Sequence, residues 1–199
     1  MKTTLLKISF IFLLFSLMGA GCEKDEEELL WEISPDSETA VIQKEVDGIE
    51  FKFCLLNEQG DPATVFNEGE NFTFKFLINN KTTEALPFYD YGVYMTNDFF
   101  SVRSTLKDYG KPFKFLSFSS TKEARWILAE GYAGFIVPWH EERIEFQMMY
   151  GFFEGLEQPF LEKGKYYTQV SYNFTFGSPN KEPEIETGKL TFRINFEIK

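Results

Sequence analysis

Apolar and polar residues alternate with a period of two in four well-separated stretches, the mark of strands that turn one face to a core and the other to water. Ile49, Phe51, Phe53 and Leu55 alternate with Glu50, Lys52, Cys54 and Leu56, and Phe72, Phe74, Phe76 and Ile78 alternate with Thr73, Lys75, Leu77 and Asn79. Turn residues, Asn57 to Pro62 and then Asn67-Glu68-Gly69, separate the two. The cleanest pattern closes the chain. Tyr166, Thr168, Val170, Tyr172, Phe174 and Phe176 share one face of a strand, and Leu190, Phe192, Ile194, Phe196 and Ile198 share one face of the next; Gly177 to Gly188, with Pro179 and Pro183, forms the loop between them. Near the start, Leu29-Leu30-Trp31-Glu32-Ile33 predicts a short edge strand stopped by Pro35. Between residues 88 and 153 the pattern weakens. Residues 93–96, 99–103, 113–118 and 144–150 have strand composition, while 121–130 predicts a short helix capped by Ser120 or Thr121 and stopped by Gly131. Residues 131–143, with two glycines and Pro138, read as a long loop or embellishment in this central insertion.

Alternation in four places, 24 phenylalanines and few helix-like windows predict an all-β chain built as two antiparallel sheets packed face to face. Leu161-Glu162-Lys163-Gly164-Lys165-Tyr166 looks like the tyrosine-corner entry to the penultimate strand of immunoglobulin-like domains. That resemblance implies an immunoglobulin-like β-sandwich over residues 39–199, in which the Tyr166 hydroxyl bonds back to nearby backbone; the inter-sheet cysteine pair is absent. Residues 51–78 also resemble the intracellular-proteinase-inhibitor type of immunoglobulin-like domain.

The first 28 residues follow a different logic. Lys2 and Lys7 precede an apolar run from Ile8 to Met18, broken by Ser9 and Ser16 and followed by Gly19-Ala20-Gly21-Cys22. The run is shorter than the ~20 residues that span a bilayer as a helix, so it predicts a cleaved secretory signal over residues 1–21. The stretch resembles the signal of bacterial lipoproteins, which implies that Cys22 is diacylated and becomes the first residue of the mature chain; Gly19 stands where the family usually has Leu. Lys24, Asp25, Glu26, Glu27 and Glu28 follow, and this block resembles the acidic export signal that sends lipoproteins of one group of Gram-negative bacteria to the outer face of the outer membrane. A solvated acidic tether over residues 22–38 accounts for the same charges.

Charge and chemistry narrow the function. The net charge is −11, and loss of the leader removes two lysines and no acid, so nucleic acid and anionic headgroups are excluded as charge-driven partners. Membrane attachment then falls to lipid on Cys22. With Cys22 acylated, Cys54 has no disulfide partner and reads as a small core or half-buried residue. His140 is the only histidine, set beside Glu141 and Glu142 as a solvated turn, and no nucleophile elbow, zinc set, calcium loop or phosphate-binding glycine loop accompanies it. No cofactor is expected and the chain reads as a non-enzyme. Asn71, Asn80 and Asn173 head glycosylation sequons that carry little weight in a bacterial lipoprotein. Trp126, Tyr132 and Trp139 are the candidate ligand-binding residues: flat rings on an irregular segment stack on sugars or anchor a protein, and equally they cap the open end of a core. The expectation is a lipid-anchored, surface-exposed binding or adhesion module. A glycan-binding accessory of nutrient uptake and an inhibitor of exported proteases are the alternatives.

Overall fold

The computed structural model describes residues 28–88, 92–118, 125–141, 145–148, 151–177 and 185–199. The described chain is all-β. β1 (Leu29–Ile33), β2 (Val41–Val46), β3 (Ile49–Leu56), β4 (Val65–Phe66), β5 (Thr73–Asn80) and β6 (Leu86–Phe88) precede a single 3-10 turn at Val93–Met95. Then come β7 (Ser101–Arg103), β8 (Asp108–Gly110), β9 (Phe113–Phe118), β10 (Arg125–Ile127), β11 (Tyr132–Pro138), β12 (Glu145–Met148), β13 (Gly151–Gly155), β14 (Gly164–Phe176) and β15 (Ile185–Ile198).

Two sheets hold most of these strands. The first has the order β1-β15-β14-β6-β10, with β4 also on β15; the second has the order β11-β5-β3-β2. The second sheet is antiparallel throughout, whereas β1 and β4 join β15 in parallel, so the first sheet is mixed and not antiparallel as the alternation suggests. The sheets meet through rings that alternation predicts to point inward. Phe51 lies 4.9 Å from Phe174 and 5.5 Å from Phe192, and Phe76 lies 5.8 Å and 5.5 Å from the same two rings. All four are sealed from water, and burying side chains of this size at ~25 cal/mol per Å² of apolar surface is the main term holding the sheets together. A small third sheet, β12-β13-β9, joins this core where Phe113 meets Phe99 and Phe153, at 6.2 and 5.3 Å.

β2 carries too little alternation to announce itself, and its signal is the turn that follows. Asp47 and Gly48 both take positive φ, 50° and 77°, giving the two-residue hairpin whose twist matches antiparallel strands. In the β14–β15 hairpin the expected loop is shorter than residues 177–188, because β15 begins at Ile185; Gly188, at φ 66°, sits inside it beside the register shift between Asn173 and Thr175.

Four further expectations are corrected. The tether expected over residues 22–38 does not run through residues 29–33, which form the edge strand also expected there: β1 pairs with β15 from Leu29↔Leu190 to Ile33↔Ile194, with Trp31 packed 5.0 Å from Phe192 and Ile33 buried. The predicted strand at 93–96 is the 3-10 turn. The predicted helix over 121–130 is overridden where the structure describes it, since Arg125–Ile127 pairs with β6 and buries Ile127 against the core. The predicted loop over 131–143 is β11 for seven of its residues, Tyr132–Pro138, in continuous register with β5.

Candidate ligand-binding surface

Strand parity divides the three candidate rings. In β11, Ala133, Phe135 and Val137 face the core, and Trp139 continues that series one residue past the strand. Trp139 is 1% exposed, stacks 5.8 Å from Phe72 at an interplanar angle of 7°, and its indole N–H donates to the Pro159 carbonyl oxygen at 3.0 Å. It is a core residue and leaves the candidate site. Tyr132 has the opposite parity and is 71% exposed; Trp126, across from Pro87 on the edge strand β10, is 59% exposed.

Asn80 holds these two rings in place. Its side chain is fully buried, and its Nδ2 donates to the carbonyl oxygens of Glu84, Ile127 and Leu128 at 2.7, 3.0 and 3.2 Å, while Oδ1 accepts from the backbone N–H and hydroxyl of Thr82. Its own N–H donates to Gly131 O at 2.9 Å. The end of β5 is thereby stitched to the turn between β10 and β11, so the strand carrying Trp126 and the strand carrying Tyr132 leave one fixed corner for different sheets.

Tyr132 stands at the end of an ordered polar row. Register places Tyr132 opposite Asn79 on β5, and Asn79 opposite Glu50 on β3, all on the outer face of the second sheet. Asn79 Nδ2 donates to Glu50 Oε2 at 2.7 Å, Gln43 Nε2 donates to Glu50 Oε1 at 2.6 Å, and the Lys52 ammonium lies 3.1 Å from Glu50. Burial alone would raise the Glu50 carboxyl, but the bonds from Lys52, Asn79 and Gln43 outweigh it and hold the group below the ordinary carboxylate range. An exposed ring beside amide, ammonium and carboxylate groups in fixed positions offers the apolar face and the directional donors and acceptors that sugar hydroxyls require. Sequence reasoning missed Asn79, Glu50 and Gln43, although their alternation with core residues already put the first two on one face.

The remaining named residues fall elsewhere. Cys22, Lys24, Asp25, Glu26 and Glu27 lie outside the described residues. Glu28 is docked: Thr191 donates to its carboxylate at 2.7 Å and Lys189 pairs with it at 3.1 Å, which lowers its pKa. The His140 ring stacks 4.2 Å from Phe160, and Nδ1 donates to Gln158 O at 2.5 Å; Glu142, one of the two acids expected beside it, lies outside the described residues. Cys54 is buried, and burial pushes its thiol up despite Lys75 nearby, so it is not a nucleophile poised by its surroundings. Lys111, pushed down to about 8 by burial, caps the carbonyl oxygens of Tyr94 and Thr96. Among the described residues no three His, Cys, Asp or Glu side chains gather as metal ligands.

Comparison with protein-family models, with curated proteins and with solved structures finds no match in any of the three.

Proposed function

We propose that the chain is a lipid-anchored glycan-binding module of the bacterial cell surface, with Tyr132 and Trp126 as its stacking rings. The observation that carries this reading is the exposure of both rings, 71% and 59%, on strands that leave the turn braced by Asn80, with Tyr132 beside the Asn79–Glu50–Gln43 row. A ring left in water at a strand position is an unspent hydrophobic surface, and the fixed polar row next to it gives orientation. The immunoglobulin-like form of the sandwich is part of the proposal, supported by the two facing sheets and by the bond from Tyr166 to Glu162 at the entry to the penultimate strand.

The anchor is proposed on the residues Gly21-Cys22 and the acids that follow. Cys22→Ala should move the protein from the membrane fraction to the soluble one, and neutral replacements at residues 24–27 should keep acylation but remove access to added protease. The binding function is tested by electrophoresis of the full chain through gels cast with neutral polysaccharides. Retardation by at least one of them, lost in Tyr132→Ala and reduced in Trp126→Ala, is the expected result; free migration through every gel would reject the reading.

A further inference from the structure

The outer face of the first sheet holds a groove of about 440 Å³ that crosses β14 and β15. Its floor is formed by Lys165 and Tyr167 of β14 with Arg193 and Asn195 of β15, and its sides by Pro35 in the link after β1 and Thr105 at the tip of the β7–β8 hairpin. Both sides are fastened to the floor. Asn195 Nδ2 donates to Glu32 Oε1 at 2.5 Å and reaches Ile33 O at 3.4 Å, while Phe99, just ahead of β7, bridges Gln169 of β14.

Arg193 is the distinctive member. It is opposite Gln169 in the ladder, yet its guanidinium lies over the diagonal neighbour Tyr167, with Cζ 3.9 Å from the ring centroid. Stacking fixes the plane of the guanidinium and leaves its N–H groups pointing edgewise, the arrangement that meets a carboxylate as a two-pronged fork. Arg193 is ion-paired with Glu32, the nearest carboxylate among the described residues, whose Oε1 lies 3.6 Å from Nε and already accepts from Asn195; the buried Nε–H has no hydrogen-bond partner among the described residues. Lys165, on the same face two residues before Tyr167, is exposed and forms no ion pair with any described residue.

We infer that this groove binds the carboxylate of an acidic sugar residue, with Arg193 as the fork, Lys165 as the second cation and Asn195 as a hydroxyl partner. Two features select that class. The floor is the face of paired strands and not an edge, so an extended peptide finds no free backbone ladder to join, whereas side-chain donors and acceptors suit hydroxyls and a single carboxylate. Glu197 and Asp36 also line the groove and Glu32 borders Arg193, so the local charge opposes a multiply charged phosphate chain more strongly than a single carboxylate. The site is separate from the Tyr132 surface and does not depend on it.

The test is calorimetric titration of the full chain with digalacturonate and with its methyl ester, which keeps the shape and removes the charge. Binding of the acid with the ester weaker by about tenfold or more, a loss of about tenfold or more in Arg193→Gln and of several-fold in Lys165→Gln, and unchanged affinity in Tyr132→Ala would support the inference. Lys165 is exposed, so its variant reports on the groove even if Arg193→Gln disturbs the sheet. Equal affinity for acid and ester, absence of binding at millimolar acid, or full affinity in Lys165→Gln would overturn it. So would tighter binding of a tetraglutamate peptide than of digalacturonate, which would assign the groove to acidic peptides.

Discussion

The Tyr166 hydroxyl donates to the carbonyl oxygen of Glu162 at 2.8 Å, closing a four-residue bend at the point where the chain enters β14. The ring is buried against Phe196, 5.6 Å away, and meets Tyr109 edge-on at 5.5 Å, so the bond and the packing fix one orientation. Burial, helped by Tyr109, pushes the hydroxyl up to about 12, so it keeps its proton and its role as donor across all ordinary conditions. Tyr166→Phe keeps the ring and deletes the donor. The expected cost is about 1 kcal/mol, read as a lower denaturant midpoint with an unchanged slope. An unaltered midpoint would mean that the corner adds nothing beyond packing.

Trp139 and Trp126 should separate cleanly under mutation. Trp139→Ala removes an indole sealed in the core and frees the Pro159 carbonyl, at a cost of ~3–5 kcal/mol. Trp126→Ala removes a ring already mostly in water, so the unfolding midpoint should shift by under about 0.5 kcal/mol while polysaccharide retardation falls. Thermal unfolding and affinity electrophoresis on the same two variants check both halves. A large stability loss in Trp126→Ala would show that the edge ring is structural.

That division was legible in principle. Once residues 132–139 are read as a strand, the period of two puts Tyr132 and Trp139 on opposite faces, since they are seven apart. What hid the strand was Gly131, Gly134 and Pro138, which together look like a loop. Pro138 ends β11, where a missing N–H does little harm, and Gly134 sits under Leu77, whose Cδ2 would lie 2.8 Å from any added Cβ. The strands β3, β5, β14 and β15 announced themselves because each presents one face to the phenylalanine core. The sites did not, because Glu50 meets Gln43 and Asn79, and Arg193 meets Tyr167, only through cross-strand register. Nothing local in the chain encodes those pairings.

The β7–β8 hairpin gives a pH prediction. Arg103 bridges Asp98 and Asp108, with Nη1 2.5 Å from one carboxylate and Nε 2.8 Å from the other. Burial pulls both acids upward, but hydrogen bonds and charge from Arg103 outweigh it, and both sit below the ordinary carboxylate range. The folded state therefore holds fewer protons on these groups than the unfolded chain. Their contribution is complete above the unfolded value near ~3.9 and is lost as pH falls through the lower folded values. Unfolding midpoints measured from pH 6 to pH 2 should drop more steeply in the wild type than in Asp98→Asn/Asp108→Asn. Parallel curves would show that the bridge contributes no net stability.

Asn80 offers the sharpest link between fold and site, because its amide faces three carbonyl oxygens at once. Asn80→Ala leaves Glu84, Ile127 and Leu128 without that donor and should cost about 1–3 kcal/mol. Asn80→Asp is the more informative change, being nearly the same size but carrying two acceptors where donors are needed. Facing carbonyls in a buried site, the new carboxyl has its pKa raised above the unfolded value near ~3.9, so its protonated form is the one the fold accepts. Stability of this variant should therefore be closest to wild type below pH 4 and should fall away from it as pH rises toward neutrality. Because the same amide anchors the turn between Trp126 and Tyr132, polysaccharide retardation should weaken over the same range, with both rings still present. A variant that tracks wild-type stability from pH 3 to pH 7 would show that the corner tolerates a charge there, and the account of how these two rings are positioned would fail.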